Sequence, residues 1–265
     1  MEKFTYDYPH PAVATDCVVF GFDGRELKVL LIERVIEPFK SMWAFPGGFM
    51  RIDETAEECV LRELKEGTGL AIGNVKQLGA FSAVNRDPRE RTVSIAFYSL
   101  ARHADVCGGD DAAKAHWWAI DDVPQLAFDH DYILRQATRR LRQDIHFEPV
   151  GFGLLGDTFT MPELQRLYES VLGVRFDRRN FHKKMLQTGI LRDAETDAAT
   201  RFGKRHEMQK LDIDALFGNA NDSRHTVAPV AGAAHSERGR KAKRFSFDKE
   251  NYDRIKKNGG FRLEF

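Results

Sequence analysis

The chain has 265 residues, of which 42% are hydrophobic, so it is long enough for two domains that each bury a core. Its 40 Lys and Arg balance its 40 Asp and Glu, which excludes a uniformly basic or acidic protein. The charge is unevenly placed, since residues 1–150 hold 18 basic and 24 acidic side chains and residues 151–265 hold 22 and 16. An acidic half suits divalent cations, whereas a basic half suits phosphate.

Composition also argues against membrane insertion and export. No apolar run approaches the roughly 18 residues of a spanning helix, and Met1 to Asp16 contains charges and prolines where a secretory signal needs an apolar stretch. Three widely spaced cysteines, Cys17, Cys59 and Cys107, lack the spacing of a zinc site or a disulfide framework. We expect a cytoplasmic protein with no membrane partner.

Residues 1–148 predict an α/β (α+β) domain. The apolar run Ala12 to Phe22, the turn signal Asp23-Gly24 and the run Leu27 to Glu33 predict a β-hairpin. Apolar residues at helical spacing predict a helix from Thr55 to Glu66. Further strands are expected at 75–83, 92–101 and 116–119, followed by a closing helix at 131–147. The glycine-rich stretch 149–156 is the expected domain boundary.

Residues 152–265 predict a second, mainly helical domain. Thr160, Pro162 and Glu163 form a helix start signal, and the apolar stripe that follows stops at Gly173. A second helix is expected at 177–188, with strands at 189–192 and 242–248. Residues 195–240 are polar, with Ala, Gly and Pro in one stretch, and predict a mobile insertion around one short helix at 208–217.

A segment in the first half carries a spaced set of charged and glycine residues. It reads Gly48, five residues, Glu54, seven residues, then Arg62-Glu63-Leu64-Lys65-Glu66-Gly67-Thr68-Gly69-Leu70. This segment resembles the signature of the Nudix hydrolase family at every fixed position except 67, where the family has a second glutamate. The resemblance implies a Nudix fold, which is a mixed sheet sandwiched by helices.

The missing glutamate bears on catalysis. By resemblance, Glu63 and Glu66 are the remaining metal ligands, with Glu54 and Arg62 in supporting ion pairs. Position 67 follows Glu63 by four residues on the same helical face, so Gly67 removes the natural partner of Glu63. We therefore expect no catalytic residues, weak or vestigial Mg²⁺ binding and no required cofactor. The alternative reading is that these charges are exposed helix residues.

Four residues are candidates for the ligand pocket by their location alone: Trp43, Phe45, Arg51 and Arg86. The two aromatic side chains fit a hydrophobic core equally well.

The two predicted helices of the second half have the spacing of a helix-turn-helix, with Gly173 in the turn. Phe181 and Met185 predict the buried side of the second helix. Its other side and margins are expected to enter the major groove of DNA through Arg178, Arg179, Asn180, His182, Lys183 and Lys184. A basic wing tip is expected to contact phosphates through Arg240, Lys241, Lys243 and Arg244. A solvated basic face and a disordered basic linker are the alternatives.

The order of these parts, with Phe159 to Tyr168 and Phe176 to Phe181, resembles the Nudix-related transcriptional regulators of bacteria. The resemblance implies a winged helix-turn-helix protein that binds palindromic operators as a homodimer. It also implies repression of NAD or pentose metabolism genes, with ADP-ribose or a related sugar or nucleotide as effector. The insertion is longer than the wing of that family and leaves the wing geometry open. The alternatives are an active hydrolase of ADP-ribose or another nucleoside diphosphate derivative, and a non-enzymatic RNA- or protein-binding module.

Overall fold

The structure is a computed structural model that describes residues 5–103, 112–194 and 242–264. Strands β1 (Ala12–Phe22) and β2 (Leu27–Arg34) pair antiparallel, with Val19 opposite Leu30. The turn between them is held by the Asp23 carboxylate, which accepts hydrogen bonds from the backbone N–H groups of Arg25 and Glu26 at 2.8 and 2.9 Å. The predicted hairpin is therefore present.

The hairpin is the centre of a mixed sheet. The other strands are β3 (Trp43–Ala44), β4 (Gly47–Phe49), β5 (Lys76–Phe81), β6 (Thr92–Leu100) and β7 (Ala112–Ala119). The strand order is β3-β2-β1-β6-β5, with β4 beside β1 and β7 beside β2. Strands β1 and β6 are parallel and the other pairs are antiparallel, so the predicted mixed sheet is confirmed.

Two helices cover opposite faces of the sheet. Helix α1 (Ala56–Thr68) packs Val60 and Leu64 against β1 residues such as Val19. Helix α2 (His130–Asp144) packs on the other face, which carries Phe20 and its alternate neighbours. Alternate side chains of a strand point to opposite faces, so β1 contributes to both layers of this sandwich.

The second half begins with a 3₁₀ turn at Val150–Gly153. Helices α3 (Met161–Leu172) and α4 (Arg178–Gln187) follow, and α5 (Lys249–Lys257) comes near the end of the chain. A three-stranded antiparallel sheet joins β8 (Phe159–Thr160), β10 (Arg244–Phe247) and β9 (Leu191–Asp193), in the order β8-β10-β9. This arrangement is a winged helix-turn-helix, as predicted.

One hydrophobic cluster joins the two halves. It contains Phe20 of the large sheet, Leu141 of α2, Leu164 of α3 and Phe245 of β10. The connecting segment contributes Val150, Leu154 and Leu155, which are 6, 3 and 6% exposed. The stretch that we expected to be a domain boundary is thus a packed connector and not an exposed linker.

Several predicted boundaries were wrong by a few residues. Helix α1 starts one residue later and runs through Gly67 to Thr68, because Gly69 ends it with a left-handed φ of 73°. Helix α2 ends at Asp144 instead of 147, and the first wing strand is Leu191–Asp193 instead of 189–192. The whole of the expected insertion at 195–240, with the expected helix at 208–217, lies outside the described residues. None of the described helices is long and apolar enough to cross a membrane.

Candidate functional site

The start of α1 is fixed by its own side chains. The Thr55 hydroxyl accepts from the Glu58 N–H at 3.2 Å, and the Glu58 carboxylate accepts from the Thr55 N–H at 2.8 Å. This reciprocal capping box satisfies two backbone donors at the N-terminus. It sets the rotation of the helix and hence the direction in which the charged residues of the next two turns point.

Arg62 is the centre of a network of carboxylates. Its guanidinium donates to both oxygens of Glu54, at 2.9 and 2.6 Å, to Glu63 at 2.6 Å and to Glu66 at 3.2 Å. Hydrogen bonding to Arg62 lowers the pKa of Glu54 to about 2. The three acidic side chains of the Nudix-like signature are therefore held together by one cation.

A glycine lets Glu63 approach the loop before α1. A Cβ placed on Gly48 would lie 2.3 Å from Cδ of Glu63, which is far closer than real contacts allow. The side chain of Glu63 thus lies over bare backbone. This is a packing reason for glycine at the first fixed position of the signature.

Position 67 has room for a side chain. A Cβ on Gly67 would meet only Cβ of Pro46, at 4.0 Å, which is ordinary van der Waals contact. Gly67 lies inside α1 and has no left-handed φ, so the backbone does not require glycine there. Nothing in the described structure excludes a glutamate at this position on steric grounds.

The remaining acidic groups fit a resident magnesium ion poorly. Mg²⁺ prefers several oxygen ligands in an octahedral arrangement. Glu63 and Glu66 supply two carboxylates, and Arg62 contacts both of them. Within the described residues, no group of three or more His, Cys, Asp or Glu side chains is placed to hold a metal ion.

The two aromatic candidates for the ligand pocket have different positions. The Trp43 ring is half-buried and packs edge-on against Trp118, with centroids 5.4 Å apart. Phe45 is 2% exposed and stacks on the His130 ring at 4.9 Å. The structure therefore places Phe45 in the core, which is the alternative that the sequence left open.

The two arginine candidates also differ. Arg51 is exposed, and its guanidinium lies 3.9 Å from Glu66. The Arg86 side chain is only 3% exposed and is neutralised by Asp129 at 2.7 Å and Asp16 at 3.4 Å. Arg86 is thus part of a buried ion network, and it would have to leave these carboxylates to bind a ligand charge.

Sequence reasoning missed the network around Asp16. This carboxylate accepts from Ser94 at 2.5 Å and lies 3.4 Å from His130 Nε2, while His130 Nδ1 accepts from the Phe45 N–H at 3.0 Å. Burial acts to raise the pKa of Asp16, but the interactions with His130, Ser94 and Arg86 outweigh it and lower the pKa to about 2. The signal was an acidic residue inside an apolar strand.

A rim of arginines and aromatic rings was also missed. The guanidinium carbons of Arg34 and Arg89 lie 4.8 and 5.5 Å from the Phe128 ring centroid. Phe39 packs edge-on against the same ring at 4.8 Å. Phe39, Phe128 and Arg86 line one side of a cavity of about 490 Å³. Arg34 and Arg89 do not line this cavity, and Arg89 is paired with Asp87 at 2.7 Å, so Arg89 would have to exchange that contact to bind a phosphorylated ligand.

In the second half, Glu169 holds the turn between α3 and α4. Its carboxylate, on a residue 9% exposed, accepts from the Phe176 N–H at 2.9 Å, from Arg175 at 3.0 Å and from Gln165 at 2.9 Å. Gly173 ends α3 with a left-handed φ of 69°. The Asp177 side chain then caps α4 by accepting from the Asn180 N–H at 2.8 Å.

Helix α4 exposes a basic face. Phe181 and Met185 are 1 and 0% exposed and anchor the helix to the core. Five of the residues predicted to contact DNA are exposed: Arg178, Arg179, Asn180, His182 and Lys183. The sixth, Lys184, is half-buried and donates to the Glu264 backbone oxygen at 2.8 Å.

The described part of the wing keeps its basic side chains engaged. Lys243 lies 2.8 Å from Asp193, and Arg244 donates to the Thr158 backbone oxygen at 2.6 Å. Both would exchange these contacts to reach a phosphate. The other two wing-tip candidates, Arg240 and Lys241, lie outside the described residues.

Comparison with known proteins matches both halves. The family model described as the NUDIX domain matches residues 10–141, and that described as the NrtR DNA-binding winged helix domain matches residues 151–207. The chain is 32% identical over 204 residues to the ADPR responsive transcriptional repressor NtrR of Acinetobacter baylyi. That alignment covers 75% of this chain and 81% of the relative.

Two further comparisons concern the whole chain and its first half. A crystal structure of Shewanella oneidensis NrtR complexed with a 27mer DNA superposes with a TM-score of 0.65 and 25% identity, covering 95% of this chain and 97% of that one. The ADP-ribose pyrophosphatase of Methanocaldococcus jannaschii is 44% identical over 133 residues, covering 50% of this chain and 76% of the relative. The chain belongs to the family of Nudix-related transcriptional regulators, in which a Nudix domain is followed by a winged-helix DNA-binding domain.

Proposed function

We propose that this chain is a transcriptional repressor that binds duplex DNA through α4 and the wing, and that its Nudix domain senses ADP-ribose. The observation that carries the proposal is the exposed basic face of α4, set on a buried apolar face and preceded by a turn that Glu169 holds. Arginines on the first turns of such a helix can grip guanine edges, and lysines can reach phosphates. Lys243 and Arg244 of the wing are proposed to follow the backbone.

The effector proposal rests on the relatives and on the rim of the first half. Both the repressor of Acinetobacter baylyi and the enzyme of Methanocaldococcus jannaschii are named for ADP-ribose. The rim places Arg34 and Arg89 beside the Phe128 ring, and a diphosphate joined to a flat group would bind there once Arg89 exchanges its contact with Asp87. Trp43 and Arg51 remain proposed contacts at the mouth of this site, and a pentose is the alternative effector.

We further propose that the Nudix domain has lost efficient catalysis and requires no cofactor. Gly67 removes one carboxylate from the signature, and Arg62 engages Glu63 and Glu66. A domain that holds its nucleotide without destroying it can report on its concentration. Binding changes the affinity for DNA only if ADP-ribose favours one arrangement of the protein over another.

The remaining parts of the proposal follow from the family. Membership of the family implies that the protein binds a palindromic operator as a homodimer and controls genes of NAD or pentose metabolism. Such a regulator would act in the cytoplasm, where bacterial DNA is. We propose domain limits of 1–148 and 152–265, with the packed connector between them.

The test is DNA binding by matched variants. Operator fragments would be selected from genomic DNA by the purified protein, and affinity measured by fluorescence anisotropy with and without ADP-ribose. Each arginine-to-guanine contact is worth roughly 1–3 kcal/mol, so the Arg178→Ala/Arg179→Ala variant should lose at least tenfold in affinity. The control, Arg25→Ala/Arg140→Ala, removes the same charge away from α4 and should bind like wild type. Equal affinity of both variants would refute the assignment of α4.

The second candidate function is an active ADP-ribose pyrophosphatase. It is favoured by the 44% identity of the first half to the enzyme of Methanocaldococcus jannaschii. Steady-state hydrolysis of ADP-ribose with Mg²⁺ separates the two candidates. Turnover at ordinary enzyme rates, above about 1 per second, would establish pyrophosphatase activity. It would refute the proposal that the Nudix domain senses ADP-ribose without hydrolysing it.

A further inference from the structure

A cleft of about 1030 Å³ lies between the two halves of the protein. One wall is α2 and the segment after it, and the other wall is the C-terminal tail, residues 262–264. Leu172 at the end of α3 also lines the cleft. None of the residues that we assigned to DNA contact or to the Nudix-like signature lines it. The cleft is therefore separate from both proposed sites.

The wall formed by α2 is strongly basic. Arg135, Arg139 and Arg142 line the cleft, and their spacing of four and three residues puts them on one face of the helix. In the part of the chain that the structure describes, Arg135 and Arg139 make no ion pair. Arg142 uses its Nε to donate to the Val171 backbone oxygen at 2.9 Å, which leaves its terminal nitrogens for other partners. Three guanidinium groups thus line one face of α2 with little neutralisation by acidic groups, and Arg135 also lies over the Tyr132 ring at 5.8 Å.

The opposite wall adds one more cation and few opposing charges. Arg262 lies 2.7 Å from Glu264, and both side chains are 69% exposed. Asp121 is the other acidic residue that lines the cleft. The lining thus contains four arginines against two carboxylates, which favours an anionic occupant.

The base of the cleft is apolar. Leu134 and Leu263 are 9 and 3% exposed, and Ile120 and Leu172 complete this surface. Phe147, which is 55% exposed, supplies a flat ring at the edge. The phosphate backbone of duplex DNA is polar throughout and would leave such a concave apolar base unfilled. A small molecule with both a phosphate group and a flat apolar part fits the cleft better.

We propose that this cleft binds a nucleoside phosphate, with its phosphates on the arginines of α2 and Arg262 and its base over Phe147 and the apolar floor. Arginine pairs well with phosphate because its planar guanidinium donates two parallel hydrogen bonds. The ligand would bridge the Nudix domain and the C-terminal tail.

The C-terminal tail connects the cleft to α4 through hydrogen bonds. The Leu263 N–H donates to the His146 backbone oxygen at 2.7 Å, and His146 Nδ1 donates to the Leu263 oxygen at 2.9 Å. The next residue, Glu264, accepts from Lys184 of α4 at 2.8 Å. A nucleotide in the cleft would therefore contact a segment that is hydrogen-bonded to both the Nudix domain and α4.

The test is isothermal titration of the full chain with ATP, tripolyphosphate and adenosine. Wild type should bind ATP more tightly than tripolyphosphate and should not measurably bind adenosine. Arg135→Ala/Arg262→Ala removes one cation from each wall and should weaken ATP binding at least tenfold. The control Arg25→Ala/Arg140→Ala, which loses the same charge outside the cleft, should stay within twofold of wild type. Hydrogen exchange with ATP should show protection of residues 134–147 and 258–264.

Four outcomes would overturn the proposal. Absence of ATP binding, or equal loss in both double variants, would show that the cleft is not a specific site. Equal affinity for tripolyphosphate would remove the nucleoside from the assignment. Loss of duplex affinity in Arg135→Ala/Arg262→Ala without ATP binding would make the cleft a DNA contact. The α4 variants and ADP-ribose binding test the proposed function separately, since neither involves these residues.

Discussion

The Glu63 carboxylate occupies the space beside Gly48 where any other residue would carry its Cβ, which would lie 2.3 Å from Cδ of Glu63. Glu63 thus lies against the loop before α1, although position 67 is glycine and not glutamate. Arg62 contacts the same carboxylate at 2.6 Å. The signature residues Gly48, Arg62 and Glu63 therefore remain in contact with one another.

The first prediction concerns catalysis. Gly67→Glu should raise magnesium-dependent hydrolysis of ADP-ribose above the wild-type level, because it returns a third carboxylate to the face of Glu63. Its thermal stability should change little, because the gain from replacing a helix glycine is offset by repulsion from Glu63 and by the negative end of the helix dipole. AMP release and thermal unfolding measure the two effects.

Two controls sharpen this prediction. Gly67→Gln should raise stability by about 0.5–1 kcal/mol without raising the activity, because it replaces a helix glycine but adds no charge. Adding Gly48→Ala to Gly67→Glu should abolish the gained activity by displacing Glu63. Magnesium binding by Gly67→Glu with no gain in hydrolysis would show that another catalytic element is missing.

The second prediction concerns acid stability. The pKa of Asp16 is lowered from 3.8 to about 2 in the folded protein, so the unfolded chain takes up the proton first. The free energy of unfolding should therefore fall by about 2 kcal/mol from this group as the pH drops from about 5 to 2. Asp16→Asn should be less stable at neutral pH but should show a shallower decline, measured by urea unfolding. Asp53→Asn, an exposed control, should keep the wild-type slope.

The third prediction concerns the turn before α4. Glu169→Ala leaves the Phe176 N–H without its acceptor and should cost about 1–3 kcal/mol of stability. DNA affinity should fall as well, although Glu169 is not itself proposed to touch DNA. Glu169→Gln retains an acceptor oxygen and should lose less stability and less DNA affinity than Glu169→Ala. Wild-type affinity in folded Glu169→Ala would mean that α4 keeps its position without this contact.

The fourth prediction separates base reading from phosphate contact. Lys183→Ala should weaken binding to all duplexes alike and reduce the slope of log affinity against log salt by about 0.9, the value for one phosphate. Arg179→Ala should instead lower the preference for the selected operator and leave the slope nearly unchanged. Identical behaviour of the two variants would contradict this division of roles.

The elements with strong local signals were predicted closely from the sequence. The bounds of β1 and α3 match the structure, because an apolar run ended by a turn marks β1 and a capping box with a terminal glycine marks α3. Strand β8 has two residues and exists through pairing with distant β10, so no local pattern marks it. Helix α5 has nine residues with only two apolar side chains, Tyr252 and Ile255, which pack partly buried against the core, so its apolar pattern is too short to mark it in the sequence.

The same distinction applies to the candidate sites. The Nudix-like signature lies within a continuous segment, so Glu54, Arg62, Glu63 and Glu66 were found together. The contacts of Asp16 with Ser94 and His130 join residues from distant parts of the chain, and only the folded sheet brings them together. The contact between Lys184 and Glu264 is of the same kind, and residue spacing alone does not predict it.

One hydrophobic cluster contains Phe20, Leu164 and Phe245. The Nudix domain and the winged-helix domain therefore share a core. Unfolding should therefore be cooperative, with a single thermal transition for the chain. An isolated C-terminal fragment would carry newly exposed leucines and would aggregate unless they were replaced. Replacing one half with that of a distant relative would require matching substitutions among the core residues of both halves.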